Sequence, residues 1–140
     1  MNNVVQIKIS GESGYVPAEK EYSDVLIITD HSIEYDCKPF QPCEMNPVQH
    51  WLYKTNSPKF TRFFNHAVSA VHKIFERDPK CTGTDMPVTK FSVTYQNKKS
   101  VNRTYMVSSE EFKECFSIIR MMVPILELIP HILQKYEDFR

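Results

Sequence analysis

The amino-acid sequence predicts an α+β fold in a single domain spanning residues 1–140: an antiparallel sheet of about five or six strands, covered on one face by two or three helices. Three observations carry this. Several short segments alternate apolar and polar residues and are joined by tight polar turns, as in half-buried antiparallel strands. Two longer segments instead repeat apolar residues at three- and four-residue steps. Their order is strands, helix, strands, helices, unlike the regular alternation of parallel α/β proteins.

The first strand is marked by Val5, Ile7 and Ile9 on one side and Gln6 and Lys8 on the other. Gly11 to Gly14 reads as a turn and Gly14 to Glu21 as a loop. Asp24 to Thr29 contains the apolar run Val25-Leu26-Ile27-Ile28 and suits a central strand. Asp30-His31 makes a tight turn into Ser32–Cys37, where Ile33, Tyr35 and Cys37 share a face, so the two segments form a hairpin. Lys38 to Pro47 contains Pro39, Pro42 and Pro47 and reads as a loop. Val48 to Lys54 is a further strand, with Trp51 and Tyr53 on one face and Val48, His50 and Leu52 on the other.

The clearest helix follows. Ser57 is placed to cap it, and Pro58 takes its first position, where a missing N–H costs nothing. Phe60, Phe63, Phe64, Ala67, Val68, Val71, Ile74 and Phe75 form its apolar stripe, and Asp78-Pro79 stops it. Cys81 to Pro87 reads as a loop. Thr89–Tyr95 and Asn102–Val107 alternate around the polar turn Gln96–Ser100 and form a second hairpin. Ser108 and Glu111 have capping-box spacing ahead of a helix that buries Phe112, Cys115, Phe116, Ile119, Met122 and Val123. Pro124 kinks or ends that helix, and Ile125 to Tyr136 reads as a last short one.

Composition narrows the function. Apolar residues make up 41% of the chain, enough for one hydrophobic core without disulfides or metal. Lys plus Arg number 17 and Asp plus Glu number 17, a balance unlike that of a strongly basic nucleic-acid binder or an acidic mimic. The start, Met1 to Gln6, has neither the basic nor the apolar region of a signal peptide. The apolar stretch Met121–Leu133 is broken by Pro124, Glu127, Pro130 and His131, so no membrane span is expected. A cytoplasmic location follows, with the four cysteines as thiols.

Motifs for chemistry are sparse. Cys37, Cys43, Cys81 and His50 could be drawn together around zinc, but the close C-x₂₋₄-C pair is missing, and Cys37 and Cys115 fall on apolar faces. No metal and no cofactor are expected. The histidines form no H-E-x-x-H motif, and with three glycines no phosphate-binding loop can be written. Glu110-Glu111 suits the first turn of a helix, and Asp24, Asp30 and Asp36 read as solvated carboxylates. One basic patch stands out: Lys90, Lys98, Lys99 and Arg103 on or beside the second hairpin, with Tyr95 and Tyr105 near them. The junction holding Trp51, Tyr53, Lys54 and Asn56 is the second candidate surface, because a helix N-terminus there could receive an anion.

The segments Asp24–Asp30, Asn46-Pro47, Trp51–Pro58, Glu111–Phe116 and Met122–Pro124 resemble a family of small uncharacterised proteins of Firmicutes and their mobile elements. Proteins of this look occur among phage-type inhibitors of bacterial immunity, including anti-CRISPR proteins. The resemblance brings no catalytic motif. With the absence of catalytic motifs, it implies a non-enzymatic interaction protein that inhibits by occupying a protein or ribonucleoprotein effector. Where that partner carries nucleic acid, the charge of the hairpin with Lys98, Lys99 and Arg103 makes it the expected contact. The alternative is a small hydrolase or transferase whose His/Cys site is assembled only in space.

Overall fold

The structure is a computed structural model, and it describes residues 3–12, 22–40, 48–76, 88–106 and 110–123. These form strands β1 (Val4–Glu12), β2 (Tyr22–Ile28), β3 (Ser32–Pro39) and β4 (Gln49–Lys54), and helix α1 (Pro58–Phe75). Strands β5 (Val88–Tyr95) and β6 (Ser100–Met106) and helix α2 (Glu110–Arg120) follow. The fold is α+β, with a six-stranded sheet in the order β4-β3-β2-β1-β5-β6 and every neighbouring pair antiparallel.

The first four strands step outward from β1 as a meander. The chain then returns through α1 to the other side of β1 and adds the β5–β6 hairpin. Counting antiparallel steps, β4 and β5 point the same way, so a crossover between them is required. The stripe of α1 supplies the apolar surface that such a crossover must bury.

Register turns the alternation of each strand into rows across the sheet. Tyr35, Leu26, Ile9 and Phe91 form one row, and Ile33, Ile28, Ile7 and Val93 the next. All eight are buried, and they join Phe60, Phe64, Ala67, Ala70, Val71 and Ile74 of α1 and Cys115, Phe116 and Ile119 of α2 in one core. Phe91 stacks on Phe116 with ring centroids 6.1 Å apart, and Tyr53 meets Phe60 edge-on at 6.1 Å. Burying Phe60, Phe91 or Phe116 contributes about 1.5–3 kcal/mol each. The opposite side of the strands carries Lys8, Lys38, His50, Leu52, Lys54 and Lys90, all exposed.

A third row, Cys37, Asp24, Gly11 and Thr89, ends the buried face. It corrects two expectations. Gly11 lies inside β1, paired with Asp24 and Thr89 on its two neighbours, not in a turn. Asp24 is not solvated. It shares parity with Leu26 and Ile28, so the strand carries it inward to 2% exposure, where Tyr35 Oη donates a hydrogen bond to its Oδ2 at 2.8 Å.

Three smaller corrections follow. Lys38 and Pro39 extend β3 against Ser23 and Tyr22, and Pro39 lies beyond the last β4 partner, so its missing N–H breaks no ladder. Ser57 precedes α1 in extended conformation but makes no side-chain capping bond. Phe63 is only half-buried, because it lies beside rather than on the inward stripe. The expected loops at Gly14–Glu21 and Cys81–Pro87, the stop at Asp78-Pro79, the cap at Ser108 and the helix from Ile125 to Tyr136 lie outside the described residues.

No helix among the described residues is long and apolar enough to cross a membrane.

Candidate functional site

The basic patch does not form one surface. Lys90 has the parity opposite to Phe91 and is exposed on the second sheet face. Arg103 pairs with Phe91 and lies on the core side of the edge, with its guanidinium 5.9 Å from the Phe75 ring centroid. Lys98 and Lys99 stand at the hairpin tip. Lys98 has φ = 69°, and its N–H donates to the Tyr95 carbonyl, while Tyr95 N–H donates to the Lys99 carbonyl. This is a turn closed by a residue in the left-handed region, a position glycine fills at least cost. Tyr95 is half-buried and stacks on His72 of α1 at 6.3 Å. No aromatic residue of the described strands presents its ring on the second face beside Lys8 and Lys90, so a base-stacking platform is missing there.

The junction between β4 and α1 also divides. Trp51 is half-buried on the core side, tilted against Tyr35 with ring centroids 5.8 Å apart. Lys54 is exposed on the second face, and Asn56 is exposed in the connection. Of these four, Tyr53 lines a groove of about 400 Å³.

The groove is built from three elements. Tyr53 forms one wall, and Lys59, Phe60 and Phe63 from the first turns of α1 form the second. Met121, Met122 and Val123, just after α2, close the third side. Phe60, Met122 and Val123 are buried, whereas Met121 is 65% exposed and Tyr53 37%. Thr55 and Ser57 supply the polar rim, and Thr55 Oγ1 accepts the Ser57 N–H at 3.1 Å.

Among the lining residues the one charged side chain is Lys59. The first turn of α1 contains no acidic residue of its own to offset the positive end of its dipole; the backbone of Asp30 lies close, its carbonyl accepting from Thr61 Oγ1 at 3.1 Å. Lys59 adds a full charge, with Nζ 5.8 Å from the centroid of Phe63. The groove can therefore accept a large apolar side chain with a negative group beside it. Flexible thioethers from two methionines let such a surface adapt to different shapes.

Thiol chemistry is disfavoured at the described cysteines. Burial pushes the Cys115 thiol up from 9.0 to about 12, with the Glu114 charge adding to the effect. Burial also raises Cys37, and the nearby Asp24 charge adds to this against the opposing hydrogen bond from Tyr35. A reactive thiolate needs the opposite shift. Cys43 and Cys81 lie outside the described residues. Cys37 cannot join His50 around a metal, because Cys37 faces the core and His50 the other side of the sheet.

Two histidines do contact carboxylates. His31 Nδ1 lies 2.7 Å from Asp30 Oδ1, and His50 Nδ1 lies 2.6 Å from Asp36 Oδ1, both pairs exposed.

The sequence pointed to Tyr53 but not to its partners in the groove. Lys59 and Phe63 flank the inward stripe of α1, and Met121-Met122 follows the last turn of α2. The available signals were a phenylalanine beside the stripe and a methionine pair just past a helix. No family model matches the chain, and neither a curated protein nor a solved structure does.

Proposed function

We propose that this is a non-enzymatic interaction protein that captures a protein partner in the groove between β4, the start of α1 and the end of α2. The observation that carries the reading is the convergence of exposed Tyr53 and Met121 with half-buried Phe63 on one concavity rimmed by Lys59 and a helix N-terminus. Exposed apolar side chains gathered in a charged rim are the usual make-up of a recognition surface. The partner is a segment bearing an aromatic or large aliphatic anchor with an acidic neighbour.

In this reading the helices occupy one face of the sheet and hold the groove walls rigid. The resemblance to mobile-element proteins supports a bacterial-immunity effector as the partner, protein or ribonucleoprotein, and inhibition by occupation as the outcome. The hairpin lysines Lys98 and Lys99 would add long-range attraction to such a partner rather than its anchor.

The test is a peptide-display selection on the full chain, repeated on Met121→Lys. Enrichment of peptides pairing an aromatic or aliphatic anchor with Asp or Glu, lost on Met121→Lys, supports the reading. Enrichment that survives Met121→Lys, or that favours basic peptides, overturns it.

A further inference from the structure

We propose that Glu34, Asp36 and His50 form a binding site for a divalent transition-metal ion on the second face of the sheet. Asp36 and His50 are direct partners across β3 and β4, and Glu34 lies two residues along β3 on the same face. One ligand atom from each of the three lies within 4.8 Å of the other two. That separation lets a single ion at bonding distance of about 2.0–2.2 Å draw them together with small side-chain movements. The donor set is one imidazole and two carboxylates, which suits the manganese-to-zinc range better than the all-oxygen preference of calcium or magnesium.

Two lysines share this face without neutralising the cluster. Lys38 and Lys54 project from the same face of the same two strands, Lys38 two positions beyond Asp36 and Lys54 two beyond Leu52, the partner of Glu34. Neither carboxylate pairs with a lysine or arginine among the described residues, and both converge on His50 instead. Flanking positions in the register are apolar: Val25 beside Asp36, and Ile27 and Leu52 on either side of Glu34. Two carboxylates held close together beside apolar neighbours repel each other, and a dication relieves that repulsion. His50 Nδ1 faces Asp36 Oδ1 at 2.6 Å, and a neutral imidazole that binds the ion through Nδ1 carries its proton on Nε2 instead. Three protein ligands on an exposed face leave the remaining coordination positions open to water or to a ligand atom of another molecule.

The Asp30–His31 pair provides an internal control. It has the same chemistry at 2.7 Å and lies outside the three-residue group. The experiment titrates the full-length chain with Mn²⁺ alone, which avoids thiolate binding at the cysteines. Binding is read by calorimetry and by paramagnetic broadening of assigned amide signals. The expected result is one equivalent of Mn²⁺, with broadening centred on Glu34, Asp36 and His50. Glu34→Gln and His50→Ala should each weaken binding roughly tenfold or more, and His31→Ala should leave it unchanged. Unchanged circular dichroism in these exposed-face variants separates ligand loss from misfolding. The proposal is overturned by no localised broadening at millimolar Mn²⁺, by broadening centred elsewhere, or by His31→Ala weakening binding as much as His50→Ala.

Discussion

Tyr35 Oη donates a 2.8 Å hydrogen bond to Asp24 Oδ2 inside the covered face of the sheet, linking neighbouring strands β2 and β3. Asp24 is 2% exposed, so its carboxyl depends on protein donors in place of water. Tyr35→Phe removes one donor while preserving the ring packing on Trp51. The expected loss is about 1.5–3 kcal/mol, the range for hydrogen bonds to charged groups, measured by urea unfolding. A loss below about 0.5 kcal/mol would mean that the bond adds nothing net.

Thr89 should respond in the opposite direction. It is fully buried, and its Oγ1 has no hydrogen-bond partner among the described residues. Thr89→Val removes the stranded hydroxyl at nearly constant shape and should stabilise the fold by about 1 kcal/mol. A midpoint in urea that falls instead would show that the hydroxyl is bonded.

Phe63 and Phe64 are adjacent on α1 but do different work. Phe64 is 2% exposed in the core, and Phe64→Ala should cost about 3–5 kcal/mol. Phe63 lines the groove and is half-buried, so Phe63→Ala should cost less than half of that. Equal losses would place both in the core and remove a wall from the groove.

Much of this arrangement was legible from the strand alternation, but burial follows parity more strictly than polarity. Asp24 shows this best: its place two residues before Leu26 assigns it inward, whereas its charge reads as outward. Gly11 and Pro39 were misassigned because both usually mark turns. Here one lies in an interior strand and the other runs past the end of its neighbour. The groove could not be read from the chain, since Tyr53 and Met121 meet only through packing of α1 and α2. The Glu34, Asp36 and His50 group depends on the β3–β4 register, which the alternation within each strand does not determine.

The hairpin tip holds a stability reserve. Lys98 sits at φ = 69°, where a side chain with Cβ costs about 1–2 kcal/mol. Lys98→Gly should raise stability by roughly 1 kcal/mol in thermal or urea unfolding. An unchanged or lowered stability would mean that the lysine side chain contributes contacts that offset the strain.

Cys115 makes stability depend on pH in a defined window. Its folded-state value of about 12 exceeds the ordinary 9.0, so the thiol stays protonated in the folded chain while it ionises in the unfolded one. Its stabilising contribution is therefore complete below about pH 9 and is lost as pH rises from there toward 12. The slope is a loss of about 1.4 kcal/mol per pH unit. Other groups titrate in the same range, so the comparison is with Cys115→Ala. The wild type should lose roughly 1 kcal/mol more than the variant between pH 8 and pH 10. Parallel losses would show that the thiol is not shielded.

The most direct measurement compares two surfaces for one selected peptide or partner. Its affinity for the full chain would be measured at low and moderate salt for the wild type, Met121→Lys and the double charge reversal Lys98→Glu/Lys99→Glu. A groove that anchors the partner predicts a loss of tenfold or more for Met121→Lys at both salt concentrations, the scale of a buried apolar anchor. The double reversal should act mainly at low salt, as a distant charge effect does. The contrary result is a small effect of Met121→Lys beside a large, salt-dependent loss for the hairpin variant, which would move the binding surface from the groove to the hairpin.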